Sequence, residues 1–90
     1  MATVIGKDYT DTKVSMAEEQ FCMYKLGMTG SGTTALIDAI FKLDTQNQTK
    51  IALGFPELVN VINRFCFETG YWKDLVSRWN KENNNHQLFA

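Results

Sequence analysis

The sequence predicts an all-α fold, with four to five short helices packed as a compact bundle and an extended N-terminal arm. Apolar residues recur at helical spacings of three and four in successive segments, and glycines or capping residues separate these segments. No pair of alternating segments joined by a hairpin turn indicates a sheet. We expect an arm over residues 1–14, a helical domain over 15–81 and a polar C-terminal tail over 82–90.

The first predicted helix, over about 16–26, is defined at both ends. Ser15 and Glu18 form a capping box, in which the serine hydroxyl accepts from the Glu18 backbone N–H and the carboxylate reaches back to the Ser15 N–H. Gly27 is a helix stop. An apolar stripe with spacings of four, three and four is formed by Ala17, Phe21, Tyr24 and Met28.

A second helix is predicted over about 33–43, after a glycine-rich turn. Ser31 or Thr33 is expected to cap its N-terminus, because serine and threonine hydroxyls accept from the unpaired N–H groups there. One face of this helix is apolar, and Asp38 and Lys42 form an i,i+4 pair on the other face. The segment therefore has one face for the core and one for solvent.

Three further helices follow. Asp44 caps a short polar helix over about 45–53. Pro56 opens the most apolar helix, over about 56–68, since proline lacks the N–H that has no partner in a first helical turn. The last helix, over about 71–81, has an amphipathic repeat at i, i+3, i+4 and i+7, formed by Trp72, Leu75, Val76 and Trp79.

Residues 27–34 read GMTGSGTT, which is one lysine short of the phosphate-binding loop G-x-x-x-x-G-K-[ST]. Thr33 stands where that loop has its lysine. A helix precedes the motif instead of a strand, and no later hydrophobic strand ends in an Asp that would bind the metal. These departures exclude a nucleotide-hydrolysing site and favour a helix stop followed by a helix cap.

Binding of an anion without hydrolysis remains an alternative function for this turn. N–H groups at the start of a helix attract anions, and three hydroxyls lie beside them. An alternative function is therefore an oligomeric protein that binds a small phosphate-bearing ligand at the 27–34 turn, through Gly30, Ser31, Gly32, Thr33 and Thr34.

Aromatic residues are concentrated near the last two helices. The helical repeat assigns Trp72 and Trp79 to the core side of the last helix. Tyr71 and Phe67 lie off that stripe, and we expect them to be exposed. Exposed aromatic side chains often anchor protein interfaces. The candidate interface therefore consists of Phe67, Tyr71, Trp72 and Trp79.

Residue types that carry catalysis or bind metals are scattered. Cys22 and Cys66 lie in apolar surroundings, far from any second cysteine or histidine, and are expected to be buried reduced thiols. His86 lies in a polar segment without partners for nucleophilic catalysis. We predict no catalytic residues, no metal site and no cofactor, and hence a protein that is not an enzyme.

The net charge is −1, and no two of the nine Lys and Arg residues are adjacent, which argues against binding to nucleic acid. A helix-turn-helix DNA-binding protein is a second alternative, with the base-reading residue types Gln46, Asn47, Gln48, Thr49 and Lys50 on its second helix. The sequence shows no secretory signal and no apolar run long enough for a membrane span, so a cytoplasmic location without membrane contact is expected.

The segment ALIDAIFKLDTQNQTKIALGFPELVNVINRF, followed by GYWKDLVSRWN, resembles small helical proteins encoded by bacteriophages and prophages. The resemblance covers about residues 20–80 and contains no functional motif, so it assigns no site residues. It implies a non-catalytic interaction protein, and in its concrete form an inhibitor that binds a host defence complex in the host cytoplasm. We therefore expect binding to a protein partner, to copies of the same chain, or to both.

Overall fold

Five helices follow one another in the computed structural model, which describes residues 13–90. They are α1 (Met16–Lys25), α2 (Ser31–Lys42), α3 (Thr45–Ala52), α4 (Pro56–Phe67) and α5 (Tyr71–Glu82). Residues 13–90 contain no strand, so the predicted all-α fold is confirmed. The arm predicted over 1–14 lies outside the described residues, except for its last two positions.

The two ends of α1 have the predicted geometry. The Ser15 hydroxyl accepts from the Glu18 N–H at 3.1 Å, and the Glu18 carboxylate accepts from the Ser15 N–H at 3.0 Å. At the other end Gly27 takes the left-handed conformation, with φ of +73°. The Met28 N–H then donates to the Met23 carbonyl at 2.8 Å and closes a Schellman turn. The chain therefore turns sharply after α1.

Helix α2 begins two residues earlier than the sequence predicts. It starts at Ser31, and Gly30 occupies the N-cap position without a side-chain hydrogen bond. The predicted cap by Ser31 or Thr33 is wrong, because Gly30 already has the extended backbone of an N-cap and a glycine there loses little stability. The Thr34 hydroxyl lies 2.5 Å from the Thr29 hydroxyl and joins the turn to the helix.

Helix α4 is the centre of the fold, since it contacts each of the other four helices. Pro56 occupies its first turn as predicted. The preceding helix, α3, is capped by Asp44, whose carboxylate accepts from the Asn47 N–H at 2.8 Å. Helix α3 has no buried residue, so it lies on the surface of the bundle and packs only with one side against α4.

A single apolar core joins α1, α2, α4 and α5. Phe21, Ile37, Ile40 and Leu75 are fully enclosed, and α4 supplies the largest share of the remaining side chains. The buried apolar residues are Ala17, Phe21, Cys22, Ile37, Ile40, Leu58, Val59, Val61, Ile62, Tyr71, Leu75, Val76, Trp79 and Leu88.

The C-terminal segment after α5 folds back onto that helix. The Asn80 amide donates to the Leu88 carbonyl at 2.9 Å and accepts from the Leu88 N–H at 2.8 Å. The Trp79 indole donates to the His86 carbonyl at 2.7 Å, and the Leu88 side chain is buried. The segment predicted as a polar tail thus supplies one residue of the core.

Candidate protein-interaction surface

Four aromatic rings surround the fully buried ring of Phe21. The nearest are Phe65 and Trp72, with ring centroids 5.0 and 5.7 Å from that of Phe21. Unlike Phe21, all four keep part of their surface in solvent; they are Tyr24, Phe41, Phe65 and Trp72. Together with the exposed Phe67 beside them, they form what we call the aromatic surface.

Each ring around Phe21 comes from a different helix: Tyr24 from α1, Phe41 from α2, Phe65 from α4 and Trp72 from α5. The surface therefore exists only in the folded bundle. Helical spacing predicts that Tyr24 lies on the apolar stripe of α1, and it assigns none of Tyr24, Phe41 and Phe65 to a binding surface. Periodicity predicts which face of a helix is apolar, but it does not show how far a neighbouring helix covers that face.

Polar groups hold these rings in place. The Lys25 ammonium lies 5.1 Å from the Phe65 ring centroid and 5.8 Å from that of Trp72, which is cation–π geometry. The Tyr24 hydroxyl donates to the Asp38 carboxylate, and this hydrogen bond raises the pKa of Tyr24. These contacts constrain the rings of Tyr24, Phe65 and Trp72 within the chain itself.

Phe67, the last residue of α4, projects from the aromatic surface with 83% of its area exposed. Two grooves flank it. One, of about 590 Å³, is lined by Phe41, Leu43, Ile62 and Cys66 among others. The second, of about 490 Å³, is lined by Phe65, Trp72, Lys73 and Ala90 among others. An exposed ring between two grooves offers both a projection and a recess to a partner.

The predicted interface residues fall into two groups. Phe67 is exposed as predicted, and Trp72 is half-buried within the aromatic surface. Trp79 is buried with 3% exposure, as its place on the core stripe predicts, so its assignment to the interface is wrong. Tyr71 is also buried with 3% exposure, so the predictions that it is exposed and part of the interface are wrong. Helix α5 packs against both α1 and α4, which makes its buried face wider than the four-residue stripe.

Tyr71 belongs instead to a buried polar cluster with Glu18 and Arg78. The Glu18 carboxylate accepts from the two terminal guanidinium nitrogens of Arg78 at 3.0 and 2.9 Å. It also accepts from the Tyr71 hydroxyl at 2.6 Å. With the capping bond from the Ser15 N–H, each carboxylate oxygen of Glu18 accepts two hydrogen bonds. This cluster ties the first turn of α1 to α5.

The surroundings shift the acid–base properties of this cluster. Burial alone raises the pKa of Glu18. The hydrogen bonds from Arg78, from the Ser15 backbone and from Tyr71, and then the Arg78 charge, outweigh burial and lower this pKa to about 2. Burial and the Glu18 carboxylate raise the pKa of Tyr71 above its ordinary range. Glu18 is therefore a carboxylate at neutral pH and is no base for catalysis.

An outer ring of charges surrounds the polar cluster. The Arg78 Nε donates to the Asp74 carboxylate at 2.9 Å. The Arg64 guanidinium lies 4.1 Å from the centroid of the Tyr71 ring and pairs with Glu68 at 2.7 Å. A cleft of about 530 Å³ opens over these groups, and its charged lining is balanced between Lys13, Arg64, Arg78 and Glu18, Glu57, Asp74.

The turn over 27–34 remains at the N-terminus of α2. The first helical hydrogen bond there runs from the Thr34 N–H to the Gly30 carbonyl at 3.0 Å, so the N–H groups of Ser31, Gly32 and Thr33 precede it. The Thr34 hydroxyl is engaged with Thr29. The grooves beside Phe67 and the cleft over the polar cluster are lined by other residues.

Two of the side chains considered for base reading serve the fold. The Gln48 amide donates to the Ile40 carbonyl at 3.0 Å, which ties α3 to the end of α2. The Thr49 hydroxyl donates to the Thr45 carbonyl at 2.9 Å within α3. Gln46, Asn47 and Lys50, the other members of that set, are exposed.

The two cysteines differ in environment, and both are free thiols. Cys22 is buried as predicted, and burial, followed by the Glu18 charge, raises the pKa of its thiol to about 12. Cys66 is exposed, so its predicted burial is wrong. It lies one turn beyond the buried Ile62 on α4, where the apolar stripe continues into the groove beside Phe67.

Residues 13–90 contain no group of three or more His, Cys, Asp or Glu side chains placed to hold a metal ion. None of the helices in that part of the chain has the length and apolarity to cross a membrane. Comparisons with protein-family models, with curated proteins and with solved structures find no match to this chain.

Proposed function

We propose that this chain is a small protein-interaction module that docks onto a protein partner through the aromatic surface. The observation that carries this proposal is Phe67, which is 83% exposed between two grooves and beside four partly exposed rings. Contiguous exposed apolar surface on a small protein is typical of binding sites, and aromatic side chains are frequent anchors of interfaces.

The order of the aromatic surface favours binding. The Phe65 and Trp72 rings meet edge to face at 5.2 Å, and Phe41 meets Phe65 in the same way at 6.1 Å. Rings fixed by such contacts lose little side-chain entropy when a partner covers them. The gain from burying apolar area is therefore retained as binding free energy.

The buried polar cluster of Glu18, Tyr71 and Arg78 supports a non-catalytic role for the chain. Every oxygen of the Glu18 carboxylate is occupied by donors of the chain itself, and Arg78 is engaged with Glu18 and Asp74. Groups held in this way stabilise the fold and are not available to a substrate. The resemblance to phage-encoded helical proteins supports a more specific version, an inhibitor that docks onto a host protein complex in the cytoplasm.

The proposal is tested by capturing proteins from a bacterial lysate with the wild-type chain and two variants, Phe67→Ala and Trp72→Ala. Leu53→Ala is the matched control, because Leu53 is 87% exposed and lies near the opposite end of α4. We expect capture to weaken at least about tenfold in the two variants and to stay unchanged in the control.

Far-UV circular dichroism of all the chains checks that the helices are intact. A partner that binds both variants as tightly as the wild type excludes the aromatic surface as the docking site. Equal loss in Leu53→Ala would show non-specific apolar adsorption in place of a defined interface.

A further inference from the structure

We infer that the partner seated at Phe67 is a second copy of this chain, in a dimer with two-fold symmetry. This inference rests on the proposed function, since it identifies the occupant of the aromatic surface. Three features of the described residues carry it: an apolar stripe that extends beyond the core, a projecting ring beside an apolar recess, and complementary charges. An exposed thiol next to Phe67 provides a way to test it.

The apolar stripe of α4 continues past the core. Val59 and Ile62 are buried on one face of the helix, with 6% and 1% exposure. Cys66 continues that face one turn later and is exposed, and Phe67 follows it. The chain itself leaves Cys66 and Phe67, at the end of this apolar stripe, uncovered.

Phe67 and the groove of about 590 Å³ beside it form a projection and a recess on one patch. The groove has apolar walls from Phe41, Leu43 and Ile62, and its volume lies in the range of roughly 300–1,000 Å³ that holds small ligands. An isologous contact needs a patch that complements itself. A two-fold axis beside Phe67 lets each copy insert its ring into the groove of the other.

Charges around Phe67 fit the same symmetry. Asp44 lines the groove on one side of Phe67, and Lys73 lines the groove on the other side. The ion pairs found among residues 13–90 join Arg64 to Glu68 and Arg78 to Glu18 and Asp74, so they use neither Asp44 nor Lys73. A two-fold axis that seats each Phe67 in the groove of the other copy places the Asp44 side of one copy opposite the Lys73 side of the other, which favours pairing of opposite charges.

Cys66 supplies a chemical probe at the centre of the contact. It lines both grooves next to Phe67. The other thiol, Cys22, is buried with a pKa raised to about 12, and reagents in solution do not reach it. A cross-link between two copies of the chain therefore reports on Cys66 alone.

The first test measures molar mass by light scattering or sedimentation equilibrium, from low to high micromolar concentration. We expect the wild type to rise from monomer to dimer mass. Phe67→Asp introduces a charge that the interface would bury unpaired, so we expect its dimer dissociation constant to rise at least about tenfold. Leu53→Asp, the matched control just before the first turn of α4, is expected to dimerise as the wild type does.

The second test treats the chain with a short bis-maleimide that adds to thiols. We expect a covalent dimer from the wild type and from Leu53→Asp. We expect none from Cys66→Ser, and strongly reduced yield from Phe67→Asp. A wild type that dimerises through Phe67 but forms no cross-link overturns the position of Cys66 near the axis.

The results separate this inference from the proposed function. A wild type that stays monomeric at every concentration, yet captures another protein through Phe67, overturns the dimer and keeps the aromatic surface as a docking site. A chain that dimerises through Phe67 and captures no other protein supports the dimer and excludes a different protein as the partner of this surface. Dimerisation that Phe67→Asp leaves intact overturns the placement of the contact.

Discussion

The buried polar cluster and the aromatic surface are assembled in the same way, but only the polar cluster has its side chains covered and fully bonded within the chain. Each brings together side chains that are far apart in the sequence and that meet only when the helices pack. In the polar cluster, Glu18 is 7% exposed and both of its carboxylate oxygens are fully occupied by donors. On the aromatic surface, Phe67 is 83% exposed and lies beside two open grooves.

Because of this difference, we expect the polar cluster to govern the free energy of unfolding and Phe67 on the aromatic surface to govern binding. A saturated cluster has nothing left to offer a partner, so changes in it alter the free energy of unfolding. Phe67, the most exposed ring of the aromatic surface, contributes little to folding, and burying it against a partner gains about 1.5–3 kcal/mol. Variants in the two regions should therefore affect different measurements.

The largest effect on folding is expected from Glu18→Gln, which leaves Arg78 buried with only Asp74 as a counter-charge. Removing one member of a buried ion pair costs about 3–5 kcal/mol, because the remaining charge stays out of water without compensation. Urea unfolding followed by circular dichroism measures this loss. Glu19→Gln, an exposed neighbour in the same turn, is the control and should change stability by less than about 0.5 kcal/mol. Equal effects from the two variants would contradict the assigned role of the cluster.

Acid should reproduce part of this loss without a mutation. The folded-state pKa of Glu18 is lowered to about 2 from an ordinary value of 4.5, so the stability that this carboxylate contributes is fully present above pH 4.5. It is lost as the pH falls from 4.5 toward 2, by an amount on the order of 3 kcal/mol. Urea titrations across this range should show a steeper loss in the wild type than in Glu18→Gln. Parallel profiles would place the acid sensitivity elsewhere.

Tyr71→Phe should have an intermediate effect. It removes only the hydroxyl that donates to Glu18 at 2.6 Å. A hydrogen bond to a charged group is worth about 1.5–3 kcal/mol, and the ring itself stays in place beneath Arg64. Thermal unfolding measures the change, and binding to a partner should be unaffected. Weakened binding in a stably folded Tyr71→Phe chain would return Tyr71 to the interface and erase the distinction between the two regions.

Phe67→Ala should have the smallest effect on folding. The side chain is 83% exposed, so its removal should change the free energy of unfolding by less than about 0.5 kcal/mol, measured by urea unfolding at low protein concentration. The same variant is expected to give the largest loss of binding. A destabilisation above about 1 kcal/mol at low concentration would mean that Phe67 packs within its own chain.

Local features of the fold could be predicted from the sequence because their partners are close in the chain. The capping box at Ser15 and Glu18, the glycine stop at Gly27, the cap at Asp44 and the proline at Pro56 all appear as predicted. Each of them depends on residues within one helical turn. The helix bounds accordingly differ from the predicted ones by at most two residues.

Tertiary partners could not be predicted in this way. Glu18 was recognised as a capping residue, but its bonds to Tyr71 and Arg78 join residues 53 and 60 positions apart. Helical spacing gives the direction of a side chain on its own helix and leaves the packing order of the helices open. For the same reason the apolar neighbours of Cys66 in the sequence predicted its burial, whereas the residue is exposed in the groove beside Phe67.

The bond pair between Asn80 and Leu88 also governs how the protein can be handled. It holds the end of the chain, and Ala90 lines the same groove as Trp72 and Lys73. A purification tag or solid support joined after Ala90 would emerge beside the aromatic surface and compete with whatever binds there.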